Sequence, residues 1–202
     1  PDQEEATCSR GNFLQMSSKV LSDGIRRCSW LTEDPIYIRY HDKEWGTITT
    51  KQRDLFEGIC LEGFQAGLSW LTILKRREGF RRAFDNFDSE KIASYGKKDV
   101  NRLLKDDGII RNLAKINSAI NNARVVQDQG IDLRELLWSF APKRRVTSRT
   151  GFKWQATSKE SEAMSKELKR LGFSFVGSTT MYALMQSTGM IFDHAPACYR
   201  KE

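Results

Sequence analysis

From about position 50 onward, apolar residues return every three or four places with polar residues between them, the period of a helix that buries one face. The segments "SWLTILKRREGFRRAF" (69–84) and "IIRNLAKINSAINNARVV" (109–126) carry the pattern most clearly. It predicts helices over 51–66, 69–85, 88–94, 97–105, 110–128, 131–139, 158–171 and 178–189. Ser69 and Asp88 stand where N-caps are expected, and Ser158 with Ser161 forms a weaker capping box than Ser-x-x-Glu. No segment alternates as a half-buried strand does and none repeats in tandem, so the expected class is all-α. One position stands against the pattern. In "LEGFQAGLSW" (61–70), Glu62 shares a helical line with Leu55, Ile59 and Ala66, so a carboxylate points where its neighbours are apolar.

The 202 residues suffice for one domain with a substantial core, or for two helical lobes around a cleft. Residues 1–24 are mixed and weakly periodic and are expected to form a flexible or loosely docked extension; a single domain over 25–202 follows. No run approaches eighteen apolar residues, and no charged start precedes an apolar stretch, so a soluble intracellular protein without a membrane span is expected.

Lys and Arg outnumber Asp and Glu by 33 to 26, a net charge of +7. The excess gathers in "KRREGFRR" (75–82), "PKRRVTSRTGFK" (142–153) and "KELKRLG" (166–172), which suits a polyanion or, equally, a solvated basic face. In "LKRLGFSFVGSTTMYALMQSTG" (168–189) a helix leads into a turn opened by Gly172, then Gly177, then a second helix from Ser178 or Thr179. Amides at such a helix start can take a phosphate oxygen, with Lys166, Lys169 and Arg170 close by; an ordinary helical hairpin has the same outline.

The chain has four cysteines and two histidines. His194 and Cys198 stand in "HAPAC", and Cys28 and His41 flank "SWLTEDPIYIRY". Two thiolates and two imidazoles suit one tetrahedral zinc ion, which here would staple the N-terminal segment to the C-terminal tail. The other reading is a buried thiol with core or surface histidines. Cys60 reads as core and Cys8 as an unpaired thiol, with no stable disulfide expected in a reducing compartment.

Four long segments, "RCSWLTEDPIYIRYHDKEWG" (27–46), "LFEGICLEGFQAGLSWLTILKRREGFR" (55–81), "DGIIRNLAKINSAINNAR" (107–124) and "GFSFVGSTTMYALMQSTGMIFDH" (172–194), together resemble the DNA-3-methyladenine glycosylase I (Tag) family. The resemblance implies a helix-hairpin-helix glycosylase fold of two lobes around a base-binding cleft, with a structural zinc on Cys28, His41, His194 and Cys198. It further implies that N3-methyladenine is excised hydrolytically from alkylated double-stranded DNA by a monofunctional enzyme, leaving an abasic site and free 3-methyladenine. Family pocket positions fall on Trp30, Tyr40, Trp45, Glu62 and Trp70, with Glu62 as the base-recognising and catalytic carboxylate. The DNA-backbone grip falls on Gly172, Gly177, Ser178, Thr179, Lys169 and Arg170. Asp193 lies where related hairpin glycosylases carry a catalytic aspartate, but beside His194 it is expected to orient that imidazole.

No lysine stands out as an amine nucleophile, and a monomer in the cytoplasm, nucleoid or another DNA-containing compartment is expected. Two departures mark the chain. The extension before Ile25 is longer than the family start, and "APKRRVTSRTGFKWQATSKES" (141–161) matches loosely, so DNA contacts are not expected from it. A glycosylase of broader alkylpurine range and a non-catalytic zinc-stapled DNA-binding module are the alternatives. Pairing of Glu62 with a cation such as Lys75 would make that carboxylate structural.

Overall fold

A computed structural model describes residues 17–145 and 152–201; Cys8 and most of the expected extension lie outside them. Among the described residues an antiparallel hairpin, β1 (Ser18–Val20) and β2 (Arg26–Cys28), precedes nine α-helices. These are α1 (Pro35–Lys43), α2 (Gln52–Gln65), α3 (Trp70–Ala83), α4 (Ser89–Ala93), α5 (Lys97–Lys105), α6 (Leu113–Asp128), α7 (Leu133–Trp138), α8 (Lys159–Leu171) and α9 (Ser178–Ser187). All eight expected helices are present, and the chain is mostly helical. Ser69 and Asp88 cap as expected, and Ser158 and Ser161 close their box in both directions, at 3.2 and 2.9 Å.

Two elements correct the sequence reading. The hairpin pairs Ser18 with Cys28 and Val20 with Arg26, so the boundary expected near Ile25 falls inside a packed unit that also buries Leu21. Strands of three residues are too short to display alternation. Helix α1 was not expected because Ile36 remains exposed, which blurs the apolar face. Its start is nevertheless well built: the Asp34 carboxylate accepts the Ile36 N–H at 3.0 Å, and Pro35 begins the helix.

Helix α2 is the centre of the fold. Leu55, Phe56, Ile59, Leu61 and Phe64 bury nearly all of its circumference, and it packs against α3, α6, α7 and α9. Each such side chain stabilises the fold by roughly 1.5–3 kcal/mol. A separate small cluster holds Cys28, Tyr40, Trp45, Leu74, Phe152, Ala195 and Cys198, with Trp30 and Tyr37 against it. Trp70 packs on both clusters. No helix among the described residues is long and apolar enough to cross a membrane.

The basic run on α3 faces acids of its own chain. Lys75 pairs with Asp34 at 2.7 Å, Arg77 with Glu44 at 2.5 Å, and Arg81 with Glu57 and Glu78, each at 2.8 Å. Arg76 donates to the Asp107 carbonyl at 2.5 Å. Asp34, Glu44 and Glu57 lie outside α3, so these pairs hold the helix to its neighbours.

Candidate active site and metal centre

Glu62 is 4 % exposed, on the inner side of α2. Burial pushes its carboxyl up to about 8, opposed only by the nearby Ser187 side chain, whose hydroxyl donates to the Leu184 carbonyl at 3.1 Å. Lys75 is committed to Asp34, so the structural pairing with Lys75 is absent, and no cation pairs with Glu62 among the described residues. A buried acid without a counter-ion borders a cavity of 240 Å³.

The cavity brings together all five residues expected from the sequence: Trp30, Tyr40, Trp45, Glu62 and Trp70. Trp30 meets Trp45 edge-on at 5.1 Å, and Tyr40 tilts against Trp70 at 5.6 Å. Burial, followed by the nearby Glu62 charge, raises the Tyr40 hydroxyl well above its ordinary value and keeps it a donor. Trp70 Nε1 is a buried donor with no acceptor among the described residues. The site can therefore hold one flat ring between aromatic faces and pair it with a carboxylate.

Behind the aromatic wall, the donor atoms of Cys28, His41, His194 and Cys198 lie within 4.8 Å of one another, all buried. His41 Nε2 and His194 Nδ1 are 3.2 Å apart. Cys198 Sγ lies 3.5 Å from His41 Nε2 and 3.7 Å from His194 Nδ1, and Cys28 Sγ lies 3.8 Å from His194 Nδ1. A tetrahedral ion with nitrogen at about 2.0–2.1 Å and sulfur at about 2.3 Å gives edges of about 3.3 Å for N–N and 3.6 Å for N–S. The set fits such an ion.

The hydrogen bonds lead to the same conclusion. His41 Nδ1 donates to Asp42 at 2.8 Å and His194 Nε2 donates to the Trp45 carbonyl at 3.1 Å. With those nitrogens so engaged, His41 Nε2 and His194 Nδ1 are left facing each other, an arrangement that a shared cation would stabilise. Burial pushes the Cys28 thiol up, while the neighbouring Cys28 and both imidazoles hold Cys198 down, toward the thiolate a metal requires.

Asp42 and the Trp45 carbonyl are partners that spacing did not reveal. Asp42 is fixed by Arg27 at 2.8 Å; burial pushes its carboxyl up, but bonds from Arg27, His41 and Tyr199 outweigh this and hold it at about 2. Gly46, at φ +78°, lets the Trp45 turn approach His194, because a Cβ there would meet Nε2 at 3.3 Å. The ring nitrogens of His194 face His41 and the Trp45 carbonyl, and Asp193 makes its own side-chain contacts on α9. Its carboxylate, 1 % exposed, accepts from Tyr182 Oη at 3.2 Å and Gln186 Nε2 at 2.7 Å.

A family model described as methyladenine glycosylase matches residues 30–201. The chain belongs to the methyladenine glycosylase family. In this family it is 46 % identical, over 179 residues, to DNA-3-methyladenine glycosylase 1 of Escherichia coli (strain K12), covering 86 % of this chain and 96 % of that protein. A crystal structure of 3-methyladenine DNA glycosylase I superposes with a TM-score of 0.83 at 44 % identity, covering 87 % of this chain and all of the other. The Staphylococcus aureus enzyme, solved for the structural basis of 3-methyladenine recognition, gives a TM-score of 0.79 at 30 % identity, covering 87 % and 97 %.

In this methyladenine glycosylase family member, Tyr37, Gln65, Trp154, Gln155 and Gln186 also line the cavity. Trp154 lies in the loosely matching segment, yet stands 6.3 Å from Trp45 and 4.8 Å from Phe152. The sequence signal available was an aromatic pair, "FKW", amid polar residues. Lys115 is buried on α6 and donates to the Phe64 and Ala66 carbonyls at 2.9 and 2.6 Å, closing the end of α2.

The glycine hairpin lies between α8 and α9. Gly172, at φ +100°, ends α8, and the Phe173 N–H returns to the Leu168 carbonyl at 2.9 Å. Asn122 and Ser118 of α6 bind the Ser174 carbonyl, each at 3.1 Å, and so fix the turn. Gly177 caps α9, where an added Cβ would meet nothing nearer than Thr180 Oγ1 at 3.9 Å. Lys169 and Thr179 are exposed, while Arg170 forms an exposed pair with Glu167 at 2.6 Å.

Proposed function

We propose that this chain is a monofunctional DNA glycosylase that excises N3-methyladenine from alkylated duplex DNA, with Glu62 as the residue that recognises and helps expel the base. The observation that carries this reading is the buried Glu62 carboxylate without a counter-ion on an aromatic cavity. Methylation at N3 makes the base cationic, so the flipped ring itself supplies the missing charge. Trp30, Tyr40, Trp45 and Trp70 then offer stacking and cation–π contacts of roughly 0.5–2 kcal/mol each, and the damaged base costs less to extrude.

In the reaction the N-glycosidic bond breaks and its electron pair neutralises the departing base. Water supplies the new oxygen on the sugar, leaving an abasic site. Glu62 holds the exocyclic amine in its ionised form; the Tyr40 hydroxyl remains a donor to the ring. Lys115, occupied by two carbonyls, is not placed as an amine nucleophile, which supports hydrolysis without strand cleavage. A single-lesion duplex should yield free 3-methyladenine and a strand that breaks only on alkaline heating. A nicked strand without such treatment contradicts the monofunctional reading.

The chain from the hairpin at Ser18 onward is read as one glycosylase domain with two helical lobes around this cleft. The ion on Cys28, His41, His194 and Cys198 is read as zinc, because thiolate and neutral imidazole are its preferred ligands. Its role is structural, and all pocket and metal residues come from one chain, so a monomer suffices. The protein then works in a DNA-containing compartment. The grip on DNA is assigned to Gly172, Gly177, Ser178, Thr179, Lys169 and Arg170, whose amides and cations suit phosphates rather than bases. Gly177→Leu should weaken duplex binding about tenfold, and Lys169→Glu should lower its salt dependence; unchanged binding isotherms for both would remove the hairpin from the interface. Trp154→Ala should raise KM about tenfold with kcat little changed, because only stacking is lost; steady-state kinetics on the same duplex checks this.

A further inference from the structure

We propose that Gln186 reads the flipped base together with Glu62, and that Asp193 sets the direction in which it reads; this rests on the glycosylase reading above. Gln186, in the last turn of α9, lines the base cavity, and its backbone carbonyl accepts the Gly46 N–H at 3.0 Å. Its side-chain Nε2 donates to Asp193 at 2.7 Å. Asp193 is 1 % exposed and also accepts the Tyr182 hydroxyl at 3.2 Å. A carboxylate only accepts, so the amide nitrogen must face Asp193, and Oε1 is left as the atom available to the cavity. Gln65 and Gln155, the other amides on this wall, have no such side-chain bond among the described residues.

The wall thus presents two acceptors, the Glu62 carboxylate and Gln186 Oε1. An adenine ring carries an exocyclic amine with two N–H donors, whereas a guanine ring has a carbonyl oxygen at that place. Two fixed acceptors match the amine and oppose the carbonyl, and a site built around hydrogen bonds rejects a ligand that cannot form them far better than an apolar slot does. Gln186 is therefore a specificity-determining residue, and Asp193 is a positioning residue that acts through it.

The test uses duplexes carrying 3-methyladenine or 3-methylguanine, with kcat/KM measured for both at equal metal content. Asp193→Asn is isosteric but can accept or donate, so Gln186 can turn its nitrogen toward the cavity. The adenine-to-guanine ratio should fall about tenfold. Gln186→Met should lower the ratio likewise, and adding Asp193→Asn to Gln186→Met should change it no further. Equal losses on both lesions, or an unchanged ratio in Gln186→Met, would overturn the inference, and the latter variant decides the matter if Asp193→Asn does not fold. A parent protein that releases neither base sinks the glycosylase reading first.

Discussion

Glu62→Gln is expected to make the protein more stable and less active at once. The parent carboxyl titrates near 8 in the fold against an ordinary 4.5. Between those values the folded chain holds a proton that the unfolded chain has released, so stability falls as pH rises through the window and levels off above 8. Glutamine removes the ionisation and the dependence with it. At pH 9 the variant should gain up to about 5 kcal/mol, about 10–20 °C in Tm for a chain of this size. Over the same substitution kcat/KM should drop about 10- to 100-fold, the worth of a hydrogen bond to a charged group. In the parent, activity should rise toward pH 8 and then level, because capture of a cationic base requires the ionised carboxylate. Thermal melts across pH and rate profiles for both proteins check these outcomes; a variant less stable than the parent at pH 9 would mean that Glu62 is satisfied in the empty pocket.

Loss of the proposed metal should affect the pocket as well as the termini. His41 follows Tyr40, Cys28 precedes Trp30 by two residues, and His194 packs at 4.6 Å on Trp45, whose carbonyl it holds. The proposed ion would join His41 Nε2 and His194 Nδ1, 3.2 Å apart, to the two thiols, and its removal is expected to loosen the cluster. A strong chelator, or Cys198→Ala, should lower Tm by about 10 °C or more, since binding free energy of a structural metal is folding free energy. Tryptophan fluorescence should shift red in the same transition, as Trp30 and Trp45 meet water. An unchanged melt after verified metal removal would reduce the four residues to ordinary core.

How far these features were legible in the sequence depended on the range of the interactions. Helices such as α3 and α6 were readable because a buried face over fourteen or sixteen residues repeats several times. The hairpin and α1 were not, since three-residue strands and a nine-residue helix with an exposed Ile36 give the period too little room. Glu62 was visible as a local contradiction, an acid on an apolar line. The four metal ligands were visible as chemistry, because thiols and imidazoles are scarce. Asp42 and the Trp45 carbonyl were hidden: one is an ordinary acid beside a histidine, the other a backbone atom with no residue signature. Charge misled at "KRREGFRR" (75–82), where acids distant in sequence, Asp34, Glu44 and Glu57, close on the cations in space. Asp193 was placed by proximity in sequence to His194, whereas its carboxylate meets Gln186 and Tyr182, seven and eleven residues earlier and one helical turn apart on α9.

On the proposed function, a counter-ion-free carboxylate in an aromatic pocket selects and releases a cationic adenine. Chromatography of the bases set free from methylated duplex DNA tests it most directly, with the parent protein and Glu62→Gln run side by side. The expected result is 3-methyladenine as the main product of the parent and a release slowed about 10- to 100-fold in the variant. Equal release by both proteins, or none from a folded, metal-loaded parent, would contradict it.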